Sequence, residues 1–347
     1  MLWVGTMSEA QGGAESAIAV WPKLDQEAFE RGQQELDQFA FDALSYTSDD
    51  LVHLTLEIFT ALGFPGKVNM PMMKLKKFIL CVRTCMFDNP YHNWFHAFDV
   101  TQTTYCLAIH SGMTKTLSDI ELFALIVSAL CHDLEHPGVN NPFLVASRSD
   151  LATLYNDRSV LENHHCCRAF QLMLHSEIQL LADFSGKDYS AFRSVVLNNI
   201  LATDMARHGE YTTKLKRITE AGTPHEDKQL DPQFAMEVIM KCADTSNVLK
   251  PFDIAKKWAM RVTDEFFLQG DKERAAHMPL TPMCDRTSQG RVALQKGFVD
   301  FVIGPFYRLV GDAMPGLQES FGLLWKNREA WNQYDDQRLL EELGDEY

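Results

Sequence analysis

Basic residues are in short supply in this chain: 32 Lys and Arg stand against 47 Asp and Glu, and the formal net charge is −15 over 347 residues. Nucleic-acid backbones and anionic lipid surfaces carry the same sign, which excludes them as main partners. An anionic substrate would need metal ions or a focused positive site. Although 46% of the residues are apolar, no run reaches the roughly 18 residues of a membrane span, so no membrane insertion of this chain is expected. The eight cysteines, at 81, 85, 106, 131, 166, 167, 242 and 284, form no CxxC pair and sit mostly inside apolar patterns. That is the usage of reduced core thiols in a cytoplasmic protein and not of a disulfide framework. Residues 1–20 lack the basic and long apolar regions of a signal peptide. Tandem repeats, Pro-rich linkers and long charge blocks are missing as well, so residues 45–335 offer no place to cut the chain into independent domains.

Present instead is helical periodicity with recurrent breakers. At this length a sizeable core is assured. Ser48, Asp49 and Asp50 cap a helix through Leu51, Leu54, Ile58 and Leu62 to Gly63, and Met70-Pro71 opens another that runs to about Phe87. Strand signals are nearly absent. We expect residues 1–36 to be a flexible tail or a segment left by cloning, since a second methionine stands at Met7. Residues 37–340 are expected to form one helical domain, and 341–347 an acidic tail. Asp335-Asp336 and Glu341-Glu342 read as a solvated helix end and tail.

The chemistry centres on Cys131-His132-Asp133-Leu134-Glu135-His136, between an apolar run from Leu122 to Leu130 and the breaker pair Pro137-Gly138. Adjacent His and Asp at the end of a buried helix aim an imidazole nitrogen and a carboxylate oxygen at one point, and His136 is expected one turn on, over the same face. That is half of a divalent-metal site; a hydrogen-bonded helix end is the plain alternative. In Tyr91-His92-Asn93-Trp94-Phe95-His96 the two histidines are four apart, so that on a helix they face one way. His96 supplies a third ligand and His92 a nearby proton donor, against the plainer reading of an aromatic helix start. Glu162, beside His164 and His165, is expected to hold His92 protonated and oriented. Asp204 and His208 pair as a helical salt bridge, or else Thr203 and Asp204 hold metal-bound waters with His165 among the outer groups. Asp244 closes an apolar helix that begins near Asp231-Pro232; a buried carboxylate there needs a partner, and a metal is one. His96, His132, Asp133 and Asp244 then make a set of two imidazoles and two carboxylates, with one carboxylate able to bridge to a second, harder ion such as Mg²⁺.

These stretches, YHNWFH, ALCHDLEHPG, LENHHC, ILATDMARH and CADTSNVLKPFD, are followed by the segment from Glu265 to Asp271, then by PMCDR and LQKGFVDF. In that order they resemble class I cyclic-nucleotide phosphodiesterases over roughly residues 85–310. The wording SNVLKPFDIAKKWAM is most similar to protozoan, kinetoplastid-type members. The resemblance implies an all-α domain with a deep dinuclear pocket. It implies a zinc-like ion on His96, His132, Asp133 and Asp244, a magnesium-like (or manganese) ion reached through Asp133, and His92 as general acid. Glu162 and His136 complete the candidate catalytic residues. It also implies a base clamp in which Gln295 addresses the base edge, Phe298 stacks on it, Val262 is the opposite jaw and Asn247 a second polar contact. Read without the family, Val262, Gln295 and Phe298 are ordinary core and rim. The segment from Lys272 to Arg291 resembles a mobile loop over the pocket. Glu135 departs from the usual Asp. The implied reaction is hydrolysis of a small cyclic nucleotide, cAMP and also cGMP, to a 5′-monophosphate. A nucleotide phosphohydrolase acting on monoesters or triphosphates would share the ligands without the clamp, and a non-catalytic module would lack a ligand or the acid.

Overall fold

A computed structural model of the chain describes residues 20–220 and 230–344. Among them no strand is formed. The longer helices are α1 (Gln26–Glu35), α2 (Ser48–Ala61), α3 (Met72–Thr84), α4 (Trp94–His110), α5 (Asp119–Cys131), α6 (Val160–Leu174), α7 (Gly186–Ala202), α8 (His208–Glu220), α9 (Pro232–Asp244), α10 (Phe252–Ala275), α11 (Arg291–Gly297), α12 (Gly304–Ala313), α13 (Leu323–Ala330) and α14 (Asp336–Leu343). The all-α expectation holds.

Local signals explain the boundaries. At α2 the N-cap is Thr47, one residue before the expected start, in a reciprocal box with Asp50. Ser118 and Glu121 form the same box at α5. From Leu122 to Cys131 every residue of α5 is buried, because α4 and α7 pack against it while α9 closes a further side. Burying each Leu, Ile or Phe of that run contributes about 1.5–3 kcal/mol. The helix is therefore a rod through the middle of the main core, and whatever follows Cys131 is delivered to the interior. Asn93 caps α4 by accepting from the N–H groups of Phe95 and His96. Asp231 and Pro232 start α9 as expected, and that helix ends on Asp244.

Helices reach into both of the segments expected to be tails. Although a loose segment was expected through residue 36, α1 is capped by Asp25, and Leu36 is buried. Trp21 donates to Nδ1 of His53, whose Nε2 donates to the Pro22 carbonyl, so one tautomer secures the segment that leads into α1. At the other end α14 carries the chain through the expected boundary at 341 and buries Leu339 and Leu343. Residues 1–19 and 345–347 lie outside the described residues. Together with Ala259, Met260, Val292 and Trp331, the two α14 leucines make a small core separate from the main one.

Candidate active site

Three helix ends meet at the site. The first turn of α4 brings His96, the residues just past α5 bring His132 and Asp133, and the last residue of α9 is Asp244. Two of these are C-terminal ends, whose unpaired carbonyls favour a cation.

His96 Nε2 lies 3.2 Å from Asp133 Oδ2 and 3.3 Å from Asp244 Oδ1. His132 Nε2 lies 3.1 and 3.3 Å from the same two oxygens, and 3.3 Å from His96 Nε2. Bonds of about 2.0–2.1 Å to one tetrahedral ion would set ligand atoms about 3.3 Å apart, so these donors fit a single small cation. His132 donates from Nδ1 to the Ala129 carbonyl, which turns the Nε2 lone pair to the site. Among the described residues no hydrogen-bond donor reaches the buried Asp133 Oδ2. Burial alone would lower the His132 pKa, yet Asp133 and Asp244 raise it well above the imidazole range. Burial would likewise raise both carboxylates, and the histidines hold them well below their ordinary range instead. The four groups thus demand positive charge. They form a group able to hold a metal ion, and all four come from the expected set. Cys131, next to His132, is no rival ligand: it is fully buried in the main core, and burial drives its thiol far above the usual range.

His92 precedes the α4 N-cap, so it is not on the helix with His96 as the spacing of four suggested. Its Nε2 faces Asp133 Oδ2 at 4.0 Å. Its Nδ1 is hydrogen-bonded to Glu265 Oε1, while Glu265 Oε2 accepts the N–H groups of Tyr91 and His92 at 3.0 Å. Burial opposes charge on His92, but Glu265 and then Asp133 overcome it and raise the pKa to about 9. Glu265 is correspondingly held at about 2, against the upward push of its own burial. The carboxylate partner of His92 is therefore Glu265, from the middle of α10, and not Glu162. Glu162 is turned to Asn141, whose amide it accepts at 3.0 and 3.3 Å. Burial and the facing Asp204 raise it to about 7, and a carboxylate so placed holds a proton near neutrality.

His136 also departs from expectation. Helix α5 stops at Cys131, and Glu135 takes φ of 59°, so His136 is not one helical turn above His132. It stacks on His92 instead. The Asn89 amide donates to both the His92 and the His136 carbonyls, at 2.9 and 2.7 Å. A Cβ at Gly138 (φ +68°) would lie 2.6 Å from Asn89 Oδ1, so glycine is required for this approach. Glu135 pairs with Arg168 at 2.7 Å and His164 at 3.0 Å, which anchors the turn that carries Asp133.

The outer residues divide. His165 donates to the Leu134 carbonyl at 2.6 Å and sets Nε2 3.7 Å from Asp133 Oδ1. Asp204 accepts from Ser159 at 2.7 Å and from the Ala206 N–H; it makes no salt bridge with His208, whose Nε2 lies by the Val302 carbonyl. The Thr203 hydroxyl donates to the Ile200 carbonyl. In the expected clamp, Arg291 at the start of α11 binds Thr263 and, at 2.5 Å, Asp264, the two residues after Val262. Gln295 follows one turn later; it is buried, and its side-chain amide has no hydrogen bond among the described residues. Phe298 opens a π-helical turn, and Asn247 lies half-buried in the 3₁₀ turn after α9. The segment expected to be a mobile loop begins as the last turn of α10. Its remainder is tied down, since Glu273 accepts from the Thr281 N–H and hydroxyl and Arg286 pairs with Asp271.

Asn89 and Glu265 were missed as site residues. Glu265 pairs with a residue 173 positions away, and only the placement of α10 reveals that.

The chain is similar to known proteins across most of its length. It is 36% identical over 315 residues to the 3′,5′-cyclic-nucleotide phosphodiesterase regA of Dictyostelium discoideum, covering 90% of this chain and 40% of the relative. It is 35% identical over 283 residues to the dual specificity calcium/calmodulin-dependent 3′,5′-cyclic nucleotide phosphodiesterase 1B of Mus musculus, covering 80% and 52%. The chain thus spans about half or less of these relatives. Among solved structures, LmjPDEB1, a Leishmania protein, in complex with IBMX superposes with a TM-score of 0.82 at 30% identity, covering 93% of this chain and 97% of that one. The 3′5′-cyclic nucleotide phosphodiesterase family model matches residues 91–323. With that match over the stretch that carries every candidate ligand, the chain belongs to the 3′5′-cyclic nucleotide phosphodiesterase family.

Proposed function

We propose that this chain hydrolyses 3′,5′-cyclic nucleotides, cAMP and with it cGMP, to nucleoside 5′-monophosphates, and so ends cyclic-nucleotide signals in the cytoplasm. The observation that carries the reading is His92: an imidazole held protonated by Glu265, its other nitrogen turned toward a four-donor metal group. The donor set of two imidazoles and two carboxylates suits Zn²⁺, and Asp133 as a shared carboxylate suits a neighbouring Mg²⁺ or Mn²⁺. When bound, such ions supply Lewis acidity at the phosphate and lower the pKa of water. The rest belongs to the chain. Cleavage of the P–O3′ bond leaves an oxyanion that needs a proton, and His92 delivers it from Nε2 while Glu265 keeps Nδ1–H oriented and balances the charge. To Thr203, Asp204, Glu162 and His165 this reading assigns the role of outer polar groups that hold ordered water. Gln295 and Asn247 address the base edge, and Phe298 and Val262 hold its faces. A glutamine amide offers either a donor or an acceptor, and adenine and guanine need opposite orientations. No hydrogen bond among the described residues holds the Gln295 amide one way, which supports acceptance of both bases.

Two finer assignments belong to the same reading. Likeness to kinetoplastid-type members is supported by the stretch around Asn247 and Trp258 and by the similarity to LmjPDEB1, beside the higher identity to the Dictyostelium relative. Eight free cysteines, with no disulfide, support a reducing compartment, and no described helix is long and apolar enough to cross a membrane. Hydrolysis of cAMP and cGMP, assayed in parallel with and without Mg²⁺, tests the function. Release of 5′-monophosphate is the expected result. Turnover of monoesters or triphosphates with intact cyclic nucleotide would replace the reading with that of another His-Asp metal phosphohydrolase.

A further inference from the structure

The last helix of the described chain is fastened to the two helices that carry the expected base clamp. The carboxylate of Asp336, the first residue of α14, reaches across to the start of α11 and accepts the backbone N–H groups of Arg291 at 2.8 Å and Val292 at 2.9 Å. Helix α11 has no cap of its own, because Gly290 precedes it and offers no side chain. Asp336 fills that role from 45 residues away. The glycine makes room for it: a Cβ at Gly290 would sit 3.0 Å from Asp336 Oδ2. Asp335, its neighbour, has the separate task of capping α14 itself.

Further down α14, Glu342 pairs with Lys256 of α10 at 2.7 Å. Between the two fastenings lies the small core of Ala259 and Met260 from α10, Val292 from α11, and Leu339 and Leu343 from α14. This bracket is distinct from the main core in which the metal ligands are embedded.

Taken with the proposed base pocket, on which the inference rests, we infer that Asp336 is a positioning residue for nucleotide binding. By fixing the first turn of α11 it sets where Gln295, one turn on, and Phe298 stand against Val262 of α10. It touches neither the metal group nor His92, so its loss is expected to act on substrate affinity alone.

The test compares steady-state cAMP hydrolysis by the full chain with that of Asp336→Ala, Gly290→Ala and Gln295→Ala, with metal content and amide exchange over residues 291–298 measured alongside. Removing an N-cap shifts a local equilibrium by roughly 2- to 30-fold, so Asp336→Ala should raise KM measurably and by no more than about that factor. Its kcat should stay within about twofold of wild type and its metal content unchanged, and exchange in α11 should quicken. Gly290→Ala keeps the charge of Asp336 and pushes the carboxylate back, so a smaller rise in KM is expected from it; it also serves if Asp336→Ala proves insoluble. Unchanged KM in both variants, beside a raised KM in Gln295→Ala, overturns the inference and leaves the pocket standing. A fall in kcat equal to the rise in KM, or loss of metal, also overturns it, by showing that α14 acts on the whole domain. If Gln295→Ala itself leaves KM unchanged, the pocket assignment falls, and the inference with it.

Discussion

The rings of His92 and His136 stack with centroids 3.8 Å apart and planes 22° from parallel. Only one of the two carries a positive charge. Burial, and then the charge on His92, holds His136 well below the usual imidazole range, while Glu265 raises His92 to about 9. A charged ring thus lies against a neutral one, and the proton has a single address.

Replacing His92 by Ala should lower kcat by about 10²- to 10⁴-fold, the usual contribution of a general acid, with metal content retained. A cyclic substrate with a much better leaving group should lose far less, because its departing oxygen needs no proton. Steady-state rates on the two substrates decide the matter; equal losses would point to damage elsewhere in the site.

Glu265→Gln separates the partner seen in the structure from the one the sequence suggested. Activity that needs protonated His92 is present below its pKa and lost above it. Without the Glu265 charge that pKa falls, so the basic limb of the kcat/KM profile should move down by roughly 1 to 3 pH units. Glu162→Gln should leave that limb in place. A profile that shifts with Glu162→Gln and not with Glu265→Gln would reverse the assignment.

Asp244→Ala or His132→Ala should abolish nearly all activity and reduce bound zinc, since either change opens a four-donor group. Metal analysis of the purified variants is the direct check. Full metal content with wild-type turnover would show that the ion sits elsewhere.

Glu162 yields a stability prediction of definite sign. Its pKa is raised from 4.5 to about 7 by burial and by Asp204, so ionising it strains the fold. The penalty is absent below pH 4.5, grows as pH rises to 7, and is complete above that. In chelator, Glu162→Gln should therefore be more stable than wild type at pH 8, by up to about 3 kcal/mol at about 1.4 kcal/mol per unit, and no more stable at pH 4. Denaturant midpoints at the two pH values measure it, and a gain at pH 4 alone would contradict the direction.

Three of the four candidate ligands were legible because they stand where an apolar helix ends: His132 and Asp133 after Leu122–Cys131, Asp244 after the buried face of α9. Burial is written in such runs, and a carboxylate at the end of one must be compensated. Glu265 was illegible because it lies within α10 among residues of ordinary helical pattern, and its partner is fixed by packing across 173 positions. Glu162 was preferred because it stands beside histidines in sequence, but its helix turns it to Asn141. The two-histidine spacings misled for a simpler reason. An N-cap at Asn93 and a left-handed residue at Glu135 break the helices inside the motifs, and a period of 3.6 does not cross such breaks. Asp336 looked like a solvated helix end since nothing local distinguishes a carboxylate that caps its own helix from one that caps another.

The placement of Cys131 reaches beyond structure to how preparations of this protein will differ. Because its thiol is turned into the core and stays protonated, the four-residue group able to hold a metal offers only nitrogen and oxygen. Such shells discriminate poorly among divalent first-row ions, and occupancy follows abundance as much as affinity. The ion found in a sample will thus record the trace metals of the culture in which it was grown, and two batches with identical sequence can differ in specific activity for a reason that no sequencing would uncover.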